Sequence, residues 1–245
     1  MQNTVWWHLI FGKLSYDALP FYSAIATAAA SMVVIGAVTV VALLTYFHKW
    51  RYFWSEWITS LDHKRIGIMY VVLSLVMLFR AVIEASMMRM QQAVAYDGPG
   101  YLPPDHFSQL FSTHGTIMIF LMGMPFLTGL INYVMPLQIG SRDVAFPMLN
   151  SISLGLTAAA AGLIMVSLCL GKFSTGGWSG YPPFTELTYS PGVGPDYWIW
   201  VVTLASIGST MTGINFAVTL YKKRVQACTC SACRCSAGRR CAPAS

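Results

Sequence analysis

Long apolar stretches separated by short polar and basic segments give the chain its pattern. A helix needs about 20 predominantly apolar residues to cross the hydrocarbon core of a bilayer, and five stretches meet that requirement. We therefore predict an all-α, polytopic membrane helix bundle with five transmembrane helices. The predicted helices cover residues 23–47, 66–88, 108–135, 148–170 and 197–221, inside a domain 23–224 that follows an outer-side segment 1–22.

The composition excludes an ordinary soluble domain. Of the 245 residues, 56% are hydrophobic and 10% are charged, and the mean hydropathy is +0.57. In soluble domains, about a quarter of the residues are charged. The net charge is +6, but the cations lie beside the apolar stretches, where they determine topology. We expect the lipid bilayer as a partner and no nucleic acid.

The distribution of Lys and Arg predicts the orientation, because cytoplasmic loops carry an excess of both. Alternate connections along the chain are rich and poor in these residues, which is consistent with five spans. The prediction is a multi-pass protein of the bacterial inner (plasma) membrane with a periplasmic N-terminus. The segments assigned to the cytoplasm are 48–65, 141–143 and 222–224.

Charged residues interrupt the second predicted span. Arg80 and Glu84 are four residues apart and share a helix face, so they can form an ion pair, and Arg89 lies further outward. Charges inside a membrane are costly and often mark functional sites. The alternative is a structural ion pair near the interface, with the long side chains reaching toward water.

His114 is the strongly basic side chain of the third predicted span, and Asp105, His106 and Gln109 precede it at the mouth of that helix. An imidazole inside an apolar helix is a candidate metal ligand, although it can also hydrogen-bond a neighbouring helix. Together with Arg80, these residues make a plausible site for a small polar headgroup that releases protons. The spacing alone leaves both interpretations open.

At the inner ends of the third and fourth spans, polar residues flank a Pro-containing loop. Asp143 follows Arg142 in this loop, and the amides Asn132 and Asn150 lie on either side. An acid flanked by amides can collect protons from water. Spacing alone favours an ordinary ion pair between Arg142 and Asp143.

Five motifs occur in order along the chain, namely WITSLDHKRIG at 57–67, MMRMQ at 87–91, THG at 113–115, PLQIGSRDVAFPMLN at 136–150, and GW at 177–178 with YPP at 181–183. With these motifs the chain resembles subunit I of the haem–copper terminal oxidases. An additional helix before the shared core and the sequence FGKLS at 11–15 resemble the bo-type ubiquinol oxidases within that superfamily. The resemblance covers roughly residues 11–224.

The resemblance assigns roles to individual residues. His114 matches one axial ligand of the low-spin haem, and Arg89 matches an arginine beside that haem. Asp143 matches the entrance of a proton-uptake channel, with Asn132 and Asn150 at its mouth. The family has Asp where this chain has Glu84, so the carboxylate is kept on a longer side chain. The residues that match the quinol site are Arg80, Glu84, His106 and Gln109.

The resemblance implies an enzyme that oxidises ubiquinol, reduces oxygen to water and pumps protons. Its cofactors are a low-spin haem b, a high-spin haem o and copper, and its partners are ubiquinol and the subunits II, III and IV. No histidine follows His114 in this chain. The second ligand of the low-spin haem, the ligand of the high-spin haem and the copper ligands are therefore not present, and we expect this chain alone to be inactive.

The composition changes after Arg224. Five of the six cysteines lie in residues 225–245, without the usual spacing of a zinc finger. Because Cys codons contain TG, a shift of the reading frame turns such a segment into one rich in Leu and Met. The shifted segment resembles the continuation of the family after this helix. We predict that 225–245 is a frameshifted, disordered tail.

The function predicted from the sequence is that of an N-terminal portion of the catalytic subunit of a quinol-oxidising, proton-pumping terminal oxidase. One alternative is a truncated membrane fragment without catalytic or physiological role. Others are the cytochrome c oxidase branch of the same superfamily and a small transporter with a metal-binding thiol tail.

Overall fold

A computed structural model describes residues 24–96, 98–170 and 172–223, and all regular structure in these residues is helical. The predicted tail 225–245 and the predicted segment 1–22 lie outside the described residues. The helices are α1 (Ala24–Tyr46), α2 (Trp50–Tyr52, continued by the π-helical turn Phe53–Ile58), α3 (His63–Val94), α4 (Pro104–Thr116, continued by the π-helical turn Ile117–Gly123), α5 (Met124–Gln138), α6 (Pro147–Leu170) and α7 (Gly194–Lys222).

The membrane-spanning character follows from four helical stretches, namely α3, α4 with α5, α6, and α7. Each is long and apolar enough to cross a bilayer. Ala30–Tyr46 and Trp50–Ile58 make a fifth when this bent pair is counted as one span. The predicted all-α membrane bundle is confirmed, and the structure finds four spans or five depending on how that pair is counted.

The α3 helix extends beyond the predicted boundaries 66–88 at both ends. It begins at His63 because the Asp62 side chain accepts a hydrogen bond from the Lys64 N–H at 3.0 Å and so caps the first turn. With 32 residues at about 1.5 Å each, it is longer than the roughly 30 Å hydrocarbon core. Apolarity predicts the membrane-embedded part of a helix, whereas capping determines where the helix ends.

The third span contains a π-helical turn, Ile117–Gly123, which the sequence prediction of a continuous helix 108–135 did not include. Pro125 lies two residues after the end of this turn. In a regular α-helix its ring would clash with the carbonyl of Leu121, and a wider turn relieves that clash. The helix therefore continues through a proline near its middle.

The core lies where α3, α6 and α7 meet the π-helical turn of the third span. It includes Met77 and Ala81 of α3, Ile117 and Leu121 of the turn, and Ile164 of α6, all essentially inaccessible to solvent. Elsewhere α3 and α5 cross at two glycines. A Cβ atom added at Gly67 would lie 2.9 Å from the Gly129 carbonyl oxygen, so this crossing requires glycine.

Different loops lie at the two ends of the bundle. At one end, His63 Nδ1 lies 3.3 Å from Asp143 Oδ1, and Lys223 Nζ donates to the Val144 carbonyl at 3.2 Å. At the other end, Gln109 accepts a hydrogen bond from the Phe173 N–H. The three segments predicted to be cytoplasmic thus share one end. Which end faces the cytoplasm stays a prediction, and we call the His63 end the inner end.

Candidate functional site

The predicted ion pair between Arg80 and Glu84 forms inside the bundle. Arg80 Nε lies 2.9 Å from Glu84 Oε1, and the two side chains are only 8% and 5% exposed. Arg80 Nη1 also donates to the Ile164 carbonyl of α6 at 2.7 Å. The pair is therefore buried between α3 and α6 and does not reach toward water at the interface. This geometry excludes the alternative of a snorkelling surface pair.

The second carboxylate oxygen of Glu84 has no partner. Oε2 is buried and makes no hydrogen bond within the part of the chain that the structure describes. Leaving a buried acceptor unpaired costs about 1–3 kcal/mol or more for a charged group. A buried carboxylate oxygen of this kind is suited to accept a hydrogen bond from a ligand that enters the site.

A hydrogen bond to α3 holds the ring of His114. Its Nδ1 lies 3.1 Å from the carbonyl oxygen of Ala81, the residue next to Arg80 on α3. Donation from Nδ1 to this carbonyl fixes the ring and leaves the lone pair on Nε2, which is the usual arrangement of metal-ligating histidines. No cluster of three or more His, Cys, Asp or Glu side chains suitable for a metal ion occurs among the described residues. His114 is therefore a candidate for a single metal ligand and belongs to no multidentate site among the described residues.

The other residues of the outer cluster lie on the first turns of α4. Gln109 Oε1 accepts the Phe173 N–H at 3.2 Å, which ties α4 to the loop after α6. His106 is half-buried and Asp105 is exposed. Neither side chain hydrogen-bonds another of the residues described. The structure thus places His106 and Gln109 at the same end of the bundle as Glu84.

Arg89 lies apart from this cluster. Its side chain is exposed, and Nη1 donates to Gln92 Oε1 at 3.1 Å on the same helix. The structure does not bring it to Arg80, Glu84 or His114 by any hydrogen bond or ion pair among the described residues. Its predicted position beside a haem stays a prediction.

At the inner end, the ion pair that spacing favours for Asp143 is wrong. Asp143 Oδ1 accepts the Val144 N–H at 2.7 Å and lies 3.3 Å from His63 Nδ1, whereas no ion pair joins it to Arg142 in the described ranges. His63 is 2% exposed. Sequence reasoning did not single out His63, because the partners are far apart in the chain and spacing carries no information about their contact.

Asp143 opens onto water through a surface depression of about 800 Å³. Both carboxylates and cations line it, so it does not favour one sign of charge. The carboxylate is partly exposed while His63 is buried behind it. The lining residues are Leu61, Asp62, His63, Lys64, Ser141, Arg142, Asp143 and Lys223.

Asn132 and Asn150 form a direct contact between α5 and α6. Asn150 Nδ2 donates to Asn132 Oδ1 at 2.8 Å, and neither residue is exposed. Asn132 Nδ2 and Asn150 Oδ1 make no hydrogen bond to any described residue. A buried donor next to a buried acceptor is a typical position for an ordered water molecule.

Hydroxyl groups continue from the amide pair toward the middle of the bundle. Ser153 donates to the Asn150 carbonyl at 2.7 Å, and Thr212 of α7 donates to Ser153 Oγ at 2.8 Å. The Tyr70 hydroxyl lies 2.9 Å from the same oxygen. Asn150, Ser153 and Thr157 are three and four residues apart, so a polar stripe on α6 was visible in the sequence. The sequence analysis did not use that signal.

Comparison with protein families shows the family to which the chain belongs. The model described as Cytochrome C and Quinol oxidase polypeptide I matches residues 65–235. The chain belongs to this oxidase family. The match begins at the third residue of α3 and covers the rest of the bundle through α7, including Arg80, Glu84, His114 and Asp143. It extends into the segment 225–245, whose origin stays a prediction.

Individual relatives support the same assignment. The chain is 52% identical to "Ubiquinol oxidase subunit 1" of Acetobacter aceti over 90% of its length. It is 49% identical to "Cytochrome bo(3) ubiquinol oxidase subunit 1" of Buchnera aphidicola subsp. Acyrthosiphon pisum over 88%. It is also 48% identical to "Probable cytochrome c oxidase subunit 1" of Bradyrhizobium diazoefficiens over 89%. In each case the chain spans 33% of the relative, so it corresponds to about a third of these oxidase subunits.

Proposed function

We propose that the chain is an N-terminal portion of the catalytic subunit of a terminal oxidase that oxidises ubiquinol, reduces oxygen and pumps protons. The observation that carries this proposal is the orientation of His114, whose Nδ1 is held by Ala81 beside the buried Arg80–Glu84 pair. A haem ligand next to a buried carboxylate suits the transfer of electrons from a substrate that also gives up protons.

This chain offers one histidine ligand for a haem. His114 would bind the iron of low-spin haem b through Nε2, because Nδ1 is engaged with Ala81. When bound, this haem accepts electrons and passes them on. Arg89 would lie beside it. A second histidine ligand would be supplied by a part of the subunit that this chain does not contain, as the resemblance to the oxidase family implies.

Arg80, Glu84, His106 and Gln109 would bind the quinol headgroup. Glu84 Oε2, which is buried without a partner among the described residues, can accept the proton of a quinol hydroxyl. Arg80 holds Glu84 in place through Oε1 and through its bond to Ile164. His106 lies half-buried at the mouth of the helix, where it can pass that proton toward water.

Proton uptake would begin at the opposite end. Asp143 faces the surface depression, and Asn132 and Asn150 hold the next polar contact inward. Water bound at the unpaired amide atoms can connect Asp143 to the hydroxyls of Ser153, Thr212 and Tyr70. Uptake at the inner end and release at the outer end move charge across the membrane. We accordingly place the protein in a bacterial inner membrane with a periplasmic N-terminus.

The oxygen-reducing centre would need the rest of the subunit. High-spin haem o and copper require histidine ligands, and all five histidines of this chain precede residue 115. The intact complex would also include subunits II, III and IV. This chain by itself would not reduce oxygen, and the interpretation as a non-catalytic fragment applies to the isolated molecule.

Haem spectroscopy tests the proposal. In the intact oxidase that contains this chain, His114→Ala should abolish the low-spin haem band in a reduced-minus-oxidised spectrum. His106→Ala is the control, which should keep the band and slow quinol oxidation. Equal bands in both variants would contradict the role of His114.

Expression of this chain alone provides a second test. Membranes that contain only this chain should show neither quinol-driven oxygen consumption nor a stoichiometric bis-histidine haem signal. Such a signal would overturn the assignment of the second axial ligand to another part of the subunit.

A second candidate is the cytochrome c branch of the family, which the 48% identity to the Bradyrhizobium diazoefficiens protein favours. The buried Glu84 carboxylate argues for quinol, because a soluble electron donor does not enter the bundle. Oxygen consumption by the intact oxidase with ubiquinol or with reduced cytochrome c, measured side by side, distinguishes the two donors.

A further inference from the structure

The connection between α1 and α3 contains a helical segment that turns away from the axis of α1. Trp50–Ile58 is bent by 108° from Ala30–Tyr46. If α1 crosses the bilayer, this segment lies roughly parallel to the membrane surface. We call residues 49–58 the interfacial segment.

The turn before the interfacial segment has a defined geometry. His48 adopts a positive φ of 51°, and its N–H donates to the Thr45 carbonyl at 3.1 Å. The Lys49 N–H donates to the Leu44 carbonyl at 3.0 Å. These bonds form a Schellman motif, which ends α1 and redirects the chain. The orientation of the segment is therefore built into the backbone.

Aromatic side chains dominate the interfacial segment. Trp50, Tyr52, Phe53 and Trp54 are all exposed, with Trp54 60% accessible. Trp and Tyr are enriched where a membrane protein crosses the lipid headgroup region, because an apolar ring and a polar group suit that boundary. Because these aromatic side chains are exposed beside a membrane-spanning helix, we expect lipid to contact them.

The charges of the segment favour one class of lipid. Its single acid, Glu56, is paired with Arg65 of α3, and Arg65 Nη1 also donates to the Glu56 carbonyl at 2.8 Å. Lys49 and Arg51 are exposed and have no ion-pair partner among the described residues. The segment therefore presents two uncompensated cations next to its aromatic side chains.

We propose that the interfacial segment binds the phosphate headgroups of anionic phospholipids through Lys49 and Arg51, with Trp50 and Trp54 at the level of the headgroups. Basic residues beside a membrane are attracted to anionic lipid. The Arg65–Glu56 pair holds the segment against α3 and neutralises the carboxylate charge that would repel the lipid phosphate. This surface is separate from the haem and quinol residues, so its binding does not depend on the proposed function.

Native mass spectrometry of the full chain tests the proposal. The protein is taken from nanodiscs that contain equal amounts of phosphatidylglycerol and phosphatidylcholine, and the retained lipids are counted. Removal of one basic residue should lower the affinity for phosphatidylglycerol about fivefold. The double variant Lys49→Gln and Arg51→Gln should therefore lose most of the retained phosphatidylglycerol and none of the phosphatidylcholine.

The matched control removes the same charge from the same end of the bundle. Arg142 and Lys222 are also exposed, and the variant Arg142→Gln with Lys222→Gln should keep the retained phosphatidylglycerol near the wild-type level. Equal losses in both double variants would overturn the proposal in favour of a general charge effect. Unchanged retention of phosphatidylglycerol in the Lys49 and Arg51 variant would overturn the proposal. This outcome would be expected if the surface binds a protein partner and not lipid. Circular dichroism of each variant establishes that the helices are intact.

Discussion

The two polar clusters solve the problem of burying polar groups in different ways. At the outer end, Arg80 and Glu84 carry full charges and compensate each other within 2.9 Å. At the inner end, Asn132 and Asn150 are neutral and share a single hydrogen bond. Charged groups need a protein partner at all times, whereas neutral amides can exchange partners with water. The outer cluster is therefore suited to hold a ligand in a fixed position, and the inner cluster is suited to conduct protons through water.

The largest effect is expected from breaking the outer pair. Arg80→Leu leaves Glu84 as an uncompensated buried charge and should lower the free energy of unfolding by about 3–5 kcal/mol. The double variant Arg80→Leu with Glu84→Leu should recover most of this loss. The measurement is denaturant unfolding of the chain in mixed micelles.

The exposed Arg89 provides the control for this experiment. Because Arg89 bonds only Gln92 on its own helix among the residues described, Arg89→Leu should change the free energy of unfolding by about 0.5 kcal/mol or less. A double variant at Arg80 and Glu84 that is as unstable as the single one would show that the charge pair is not what stabilises this region.

The inner pair should respond to the same design more weakly. Asn150→Leu removes the donor to Asn132 Oδ1 and should cost about 1–3 kcal/mol, since a buried amide is left without a protein partner. Asn132→Leu combined with Asn150→Leu replaces both partners and should recover part of the loss. If the coupling energy between the two positions equals that of the Arg80–Glu84 pair, the distinction between charged and neutral clusters fails.

Steady-state kinetics of the intact oxidase should separate the roles of the two ends. Asp143→Asn removes the surface carboxylate and should lower kcat roughly tenfold without changing KM for quinol. This decrease corresponds to an activation free energy raised by about 1.4 kcal/mol. Glu84→Gln should instead raise KM for quinol. Changes in the same kinetic parameter for both variants would contradict separate sites for quinol binding and proton uptake.

The smallest effect is expected along the hydroxyl series. Tyr70→Phe removes one hydrogen bond to Ser153, which keeps Thr212 as a partner. The free energy of unfolding should fall by about 1 kcal/mol. Tyr96 is 88% exposed, and Tyr96→Phe should leave the stability unchanged. A loss above that of Asn150→Leu would mean that the hydroxyls, and not the amides, organise the inner cluster.

The features that the sequence predicted are those that depend on local spacing. The apolar stretches indicated the helices, and the four-residue separation of Arg80 and Glu84 indicated their pair. The contact of His63 with Asp143 joins distant parts of the chain, so no spacing rule could indicate it. The bend of 108° after α1 depends on a backbone conformation at His48 that is uncommon outside glycine.

The π-helical turn Ile117–Gly123 sets the rotational relation between the two ends of the third span. His114 and Asn132 are eighteen residues apart, so a regular α-helix at about 100° per residue would bring both to the same face. Each additional residue in a wide turn rotates the following part by about 100°. His114 thereby faces Ala81 on α3 while Asn132 faces Asn150 on α6. Deletion of a single residue from this turn would rotate one end out of register with its partner helix, so the spacing within the turn matters as much as the identity of the polar residues.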